Sequence, residues 1–427
     1  MDTRDSIKLH LALIIIISLS ISCAGSPDIP ESSAPDINSA SGLAEEVIQD
    51  PVEQKLVEAD KLIALKKYKS AFMSLYEADD SNQYIAAKKI EIAINYHLDT
   101  LNYKSFVIKD FAPGETLAEL RNNPGDTPGI EFDPESYLHL LNENPELYAL
   151  AKAMGDYYYS AYIRIGDLWI YSPEDALRQA AGFYAMARKG EVFDYMSLAN
   201  EAQYHLSKED FETALELLDR SISLNKDYPN NYYNKALCLI NGGKFLEAIK
   251  EALRAYELYE DPEYKYDSAF LAAKLSFYAG YPEQAESLLF KCLEEFPDAS
   301  DPYYYLVLIY LSNDEFKKAE DFSIEVFSDY PAAPAVASLI LKAYSSSGYY
   351  DYYLALSILL QSKYDDPEIK GNILFHRGLA YYEMKDFVNS RKSLLDAKTI
   401  FSLALGPGHQ VFPVIEDMLK KIETALR

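Results

Sequence analysis

Residues 211–248 read FETALELLDRSISLNKDYPNNYYNKALCLINGGKFLEA, and this stretch decides the fold. Its opening FETA returns at 245–248 as FLEA, 34 positions later. Self-similarity at a fixed period marks a chain built from one repeated supersecondary unit. Taking the Ala of each copy as a ruler gives Ala214, Ala248, Ala285 and Ala319, then Tyr353 and Ser390 at the equivalent place. The spacings are 34, 37, 34, 34 and 37 residues. Three positions earlier stand Phe211, Phe245, Pro282, Phe316, Tyr350 and Phe387. Twelve before the ruler stand Ala202, Ala236, Ala273, Val307, Leu341 and Gly378; seven after it stand Ser221, Ala255, Cys292, Val326, Leu360 and Ala397. Small residues at facing places let two helices of a hairpin approach closely, and the aromatic fills the gap beside them. A Pro follows each of the first five copies (Pro229, Pro262, Pro297, Pro331 and Pro367) and is expected to stop the second helix. Leu215, Leu218 and Ile222 mark the helical period independently. Two departures stand out: Tyr353 in place of Ala, expected to splay its pair, and Pro282 in place of the aromatic.

The pattern resembles the tetratricopeptide repeat, a helix-turn-helix unit. The resemblance implies an all-α solenoid of helical hairpins in a right-handed superhelix, with six units over 195–403 and a capping helix over 404–427. Lys420 and Lys421 in the later turns of that last helix suit its dipole. Toward the N-terminus the copies fade. Residues 51–102 read as a further hairpin and a following helix, with Ala59, Tyr68, Ala71 and Ala78 at corresponding places. Residues 135–194 read as repeat-like long helices, at about 155–169 and 173–187. Between them, 103–134 carries Pro-Gly at 113/114, 124/125 and 128/129 and reads as a loop-rich insertion.

Residues 1–22 read as an export signal. The apolar run from 11 to 21 is about half the roughly 20 residues that span a bilayer as a helix. Cys23 follows Ser22 and precedes Ala24, which resembles the bacterial lipobox, although Ser20 stands where Leu is usual. The resemblance implies acylation of Cys23 and a lipid anchor carrying palmitate-type chains. Ala24 is not the Asp of an inner-membrane retention signal, which favours the periplasmic face of the outer membrane. Residues 23–50 are rich in Ser, Pro and Ala, with acids and no Lys or Arg, and read as a disordered tether.

Composition narrows the function. With 40 basic against 67 acidic residues and a net charge of -27, the 427-residue chain is unsuited to neutralising phosphates, so nucleic acid is not an expected partner. Three Cys cannot make a disulfide framework, and Cys238 and Cys292 read as buried thiols. The six His show no metal-ligand spacing, and no phosphate loop or nucleophile elbow is present. No catalytic residue, metal or cofactor is expected.

The repeat resemblance implies a groove lined by the first helix of each hairpin. Carried over residue by residue, it presents Asn230, Tyr233 and Asn241, then Phe270, Lys274, Phe277 and Tyr278, then Tyr304 and Leu308, then Lys342, and last Phe375 and Tyr382. Tyr233, Phe270 and Tyr304 stand where a carboxylate clamp would need cations, so that family's peptide C-terminus clamp is not matched. The 37 Tyr are the chain's compositional oddity; clusters such as 157–159 and 303–305 must divide between groove and core. The expected function is a lipid-anchored envelope scaffold binding a protein or peptide. The alternative is a periplasmic binder of a small molecule or peptidoglycan in a transport or envelope-assembly system.

Overall fold

The computed structural model describes residues 50–427 except 77, 79, 124, 126 and 167–169. The export signal, Cys23 and the tether to residue 49 lie outside the described residues. The chain divides into two units, with the boundary between Lys244 and Phe245.

In the N-terminal unit the helices are α1 (Pro51–Ala64), α2 (Tyr68–Ser74) and α3 (Gln83–Tyr96). Asp50, placed by the sequence reading in the tether, caps α1 by accepting from the Val52 amide at 2.9 Å. After the insertion come α5 (Leu138–Glu143), α6 (Tyr148–Arg164), α7 (Pro173–Lys189), α8 (Tyr195–Ser207), α9 (Phe211–Leu224) and α10 (Pro229–Asn241). The first of the long helices therefore begins at Tyr148, not near 155. Gly155 lies inside it because a Cβ there would meet the Tyr184 ring of α7 at 2.6 Å. The glycine sits at a close helix crossing rather than at a helix start.

The insertion is not a surface loop. It carries two strands, β2 (Ser105–Val107) and β3 (Ile130–Glu131), of a three-stranded antiparallel sheet whose first strand, β1 (Asp99–Leu101), lies just before it, and a short helix α4 (Leu117–Asn122). Asp99 pairs with Val107, and Ser105 with Glu131. Tyr103, Phe106 and Ile108 are fully buried and join the same core as Phe72, Tyr157 and Tyr158. The Pro-Gly pairs drew attention to turns, while the Phe106-Val-Ile run that follows period-two burial is the strand signal. Tyr103 sits at φ 57° and Asn102 at φ 50° in the β1–β2 turn. Its ring lies 5.6 Å from Phe106 and 5.8 Å from His97, and its hydroxyl is 2.9 Å from Ser160 Oγ. These contacts hold a non-glycine residue in the left-handed region, which otherwise costs about 1 kcal/mol or more.

In the C-terminal unit the helices are α11 (Phe245–Leu258), α12 (Pro262–Tyr278), α13 (Pro282–Glu295), α14 (Asp301–Ser312), α15 (Phe316–Asp329) and α16 (Pro334–Ser346). They continue as α17 (Tyr350–Lys363), α18 (Pro367–Glu383), α19 (Phe387–Ala404) and α20 (Val411–Ala425). The ruler positions are buried in both units: Ala214, Ala248, Ala285 and Ala319 have no exposure, nor does Ser390. At the facing place Gly378 is required, since a Cβ would meet Leu394 of α19 at 2.7 Å. Tyr353 is buried, with its ring 6.0 Å from that of Tyr344.

The prolines act differently from the sequence expectation. Pro229, Pro262 and Pro367 are the first residues of α10, α12 and α18, and Pro282 is the first of α13. A helix's first N–H has no intrahelical partner, so proline there loses nothing and its φ is already helical. Only Pro297 and Pro331 fall in the connecting turns. The array ends on α20, which buries Ile415 and Ile422 against Leu394 and Phe401 of α19. No described helix is long and apolar enough to cross a membrane.

Candidate functional site

The helix-first positions of three successive C-terminal hairpins build one connected aromatic face. On α12, Lys274 stands one turn after Phe270, with its ammonium 4.7 Å from the Phe270 ring centre. Phe270 stacks on Tyr266 at 5.5 Å and meets the edge of Tyr305 from α14 at 5.4 Å. Tyr305 in turn contacts Phe277, at 6.4 Å, and lies with its hydroxyl 3.5 Å from that of Tyr278. Tyr304 crosses Tyr305 edge-on at 4.9 Å and donates from its hydroxyl to Ser346 Oγ of α16 at 3.3 Å. Lys342, also on α16, places its ammonium 5.0 Å from the Tyr304 ring centre. Offset and edge-on pairs of this kind each contribute about 0.5–1.5 kcal/mol beyond their burial.

The face therefore joins Phe270, Lys274, Phe277, Tyr278, Tyr304 and Lys342 across α12, α14 and α16. Phe270 is buried and belongs to its floor; Tyr304 and Tyr278 are half-buried, and Lys342 is exposed. Leu308 is half-buried on α14, one helical turn after Tyr304. Burial pushes the Lys274 ammonium below the ordinary lysine value, against the opposing pull of Asp267 and Asp301. Burial likewise raises the Tyr278 and Tyr305 hydroxyls, so both stay protonated at neutral pH. Among the described residues neither Lys274 nor Lys342 is in an ion pair with a carboxylate, whereas Lys317 and Lys318 on the neighbouring α15 each pair with acids.

The remaining candidates lie elsewhere. Phe375 and Tyr382 on α18 pack on the terminal cluster with Phe387, which sits 5.6 Å from Tyr382, and with α20. Asn230, Tyr233 and Asn241 belong to α10 of the N-terminal unit; the Asn230 amide donates to the Tyr228 hydroxyl at 3.2 Å, and Asn241 is exposed at the helix end. Three tyrosines were not among the expected site residues: Tyr305, Tyr159 and Tyr162. Tyr305 holds the C-terminal face together, yet its helical position reads as core. In the N-terminal unit Tyr159 and Tyr162 on α6 share Gln203 of α8, with the Tyr159 hydroxyl donating to its carbonyl oxygen at 2.5 Å. The Tyr157-158-159 run signalled that patch: Tyr157 and Tyr158 are core, and Tyr159 is the partly exposed member.

Among the described residues no group of His, Cys, Asp and Glu has the arrangement of a metal site. Cys238 and Cys292 are buried free thiols, each pushed up to about 12 by burial. They are poor nucleophiles at neutral pH.

Residues 200–264 match the tetratricopeptide repeat family. No curated protein matches this chain in sequence. Among solved structures, it is similar to a tetratricopeptide repeat protein from Parabacteroides merdae at 14% identity, covering 64% of this chain and 98% of that one, with a TM-score of 0.39. It is also similar to PilW, a type IV pilus biogenesis factor, at 13% identity, covering 58% of this chain and 95% of that one, with a TM-score of 0.34. A third is YrrB, described as a tetratricopeptide protein with an unusual peptide-binding site, at 14% identity and a TM-score of 0.30, covering 56% and 99%. These scores support no inference about function, and the assignment of a tetratricopeptide-type hairpin solenoid rests on this chain's own period, hairpins and matched segment.

Proposed function

We propose that this protein is a non-catalytic, lipid-anchored scaffold of the bacterial envelope that holds an extended segment of a partner protein on the aromatic face of α12, α14 and α16. The observation that carries the reading is the ring network from Phe270 through Tyr305 to Tyr304, flanked by Lys274 and Lys342, which among the described residues are in no ion pair with a carboxylate. Tetratricopeptide hairpins are binding scaffolds as a class, and half-buried Tyr offers a large rigid contact with few rotors to freeze. Lys274 and Lys342 sit on first helices two packing steps apart. At about 8–10 Å per step they are separated by about 16–20 Å. An extended strand rises about 3.3 Å per residue, so the span matches about five or six residues. The partner segment is thus apolar or aromatic in its middle, with an acidic side chain toward each end.

Tyr304→Ala combined with Lys342→Glu tests this cleanly, because both side chains reach solvent and neither floors the core. Partner affinity is expected to fall at least tenfold, about 1.4 kcal/mol, in line with loss of a central aromatic contact. Unchanged partner binding by that double variant would refute the reading. Phe270→Ala is a poorer choice, since this buried ring also supports Tyr305.

The anchor rests on the apolar run from 11 to 21 and on Cys23 just after it, between the small residues Ser22 and Ala24. Acyl chains there would hold the chain at a membrane, since each buried methylene contributes about 0.8 kcal/mol. Cells fed radiolabelled palmitate are expected to label the wild-type protein and not Cys23→Ala. An unlabelled wild type would remove the anchor from the account.

A further inference from the structure

The N-terminal unit contains a cleft of about 560 Å³ that the scaffold reading leaves unused. It opens between the segment after α2, the β1–β2 turn and the stretch from β3 to α5. Its floor is unusual. Lys89 of α3 is only 2% exposed, its ammonium paired with Asp80 and lying 5.3 Å from the Tyr76 ring centre. The buried Tyr137 donates its hydroxyl to the same Asp80 oxygen, Oδ1, at 3.2 Å. On the opposite wall Lys104 is held by Asp133 at 3.0 Å and Glu135 at 3.2 Å. Glu135 is itself fixed by the Tyr158 hydroxyl at 2.8 Å. The turn that carries Lys104 is pinned by Tyr103, and β3 closes on β2 so tightly that a Cβ at Gly129 would meet Ser105 Oγ at 2.6 Å.

The Lys89, Asp80, Tyr137, Lys104, Asp133 and Glu135 side chains are therefore preorganised, each being positioned by another. Their two ammoniums are compensated, and the carboxylates outnumber them. Both ammoniums already face carboxylates, so an anionic ligand gains little from them and meets Asp80, Glu131 and Asp133. What the cleft still offers is a mixture: acceptor oxygens of Asp80 and Glu131, the Ser136 hydroxyl, and the apolar faces of Tyr76 and Phe132. A hydroxyl donates and accepts at once, so a polyol can join such a site without breaking either ion pair. The C–H face of a sugar ring suits an aromatic side chain such as Tyr76, which is 57% exposed. The volume is within the range of roughly 300–1,000 Å³ typical of small-ligand sites.

We infer that this cleft binds a neutral saccharide of two or three rings, independently of the aromatic face in the C-terminal unit. The test is saturation-transfer NMR and calorimetry on the full chain with maltotriose and chitotriose, and with spermidine as the cationic alternative. At least one trisaccharide is expected to bind, with Kd of about 1 mM or tighter. Tyr76→Ala and the conservative Glu131→Gln are each expected to weaken it at least fivefold, while Tyr304→Ala leaves it unchanged. Absence of transfer to both trisaccharides overturns the inference. So does transfer that both cleft variants leave intact, or spermidine binding in the cleft that neither sugar displaces. None of these outcomes bears on partner binding by the aromatic face, which Tyr304→Ala with Lys342→Glu addresses separately.

Discussion

Tyr103→Ala is expected to destabilise the N-terminal unit by about 3–5 kcal/mol, the cost of emptying a fully buried aromatic site. The residue lies in a segment that its Pro-Gly pairs mark as loop, where a surface substitution would cost about 0.5 kcal/mol or less. The large effect follows from position. The ring is wholly buried among His97, Phe106 and Tyr157, and its hydroxyl meets Ser160 Oγ at 2.9 Å. Tyr103→Phe keeps the ring and removes that hydrogen bond, so about 1 kcal/mol is expected. Alanine also gains no relief at φ 57°, since it too carries a Cβ. Denaturant unfolding followed by amide hydrogen exchange within residues 50–244 reports on this unit. A loss below about 1 kcal/mol for Tyr103→Ala would mean that the insertion is an appendage rather than core.

The second large effect is an asymmetry. Glu201 of α8 is 1% exposed and accepts from Arg188 of α7 through both Nε, at 3.1 Å, and Nη2, at 2.8 Å. Breaking a buried pair is costly mainly through the charge left behind, typically by about 3–5 kcal/mol. The two deletions leave different charges behind. Arg188 is 32% exposed, so after Glu201→Ala its guanidinium can turn to water. After Arg188→Ala the Glu201 carboxylate stays enclosed with no cation. Arg188→Ala is therefore expected to cost about 3–5 kcal/mol and Glu201→Ala about half of that or less. Equal losses, or a larger loss for Glu201→Ala, would show that the guanidinium is the trapped partner.

The hairpin array was legible because its signal is steric. A position that must be small at a helix crossing excludes most residue types, so Ala214, Ala248, Ala285 and Ala319 recur in register. At the facing place of the last hairpin, held by Gly378, the Leu394 side chain occupies the space a Cβ would need. Proline was legible as punctuation but was assigned to the wrong side of the break. Pro229, Pro262 and Pro367 open the following helix, and a helix end and the next helix start are adjacent in sequence. The sheet at 99–131 was not legible, because strands of two or three residues give too short an alternation to separate from a loop. Nor could the sequence divide each Tyr cluster. Tyr304 and Tyr305 differ by one position, yet one faces outward beneath Lys342 and the other knits Phe270, Phe277 and Tyr278 together. That division is set by side chains from three different helices. The cleft around Lys89 was equally hidden, since a lysine inside an apolar helical run reads as a solvated residue until Asp80 and Tyr137 are seen beside it.

On this reading the face of α12, α14 and α16 holds a partner protein. The direct measurement is photocrosslinking in intact cells from a photoreactive residue at Leu308 on that face, compared with one at Tyr352, which is exposed on α17. A discrete protein adduct is expected from position 308 and not from 352, and it should be lost when Tyr304→Ala and Lys342→Glu are introduced. An adduct of equal yield from both positions, or one from 308 that survives the double variant, would contradict the claim.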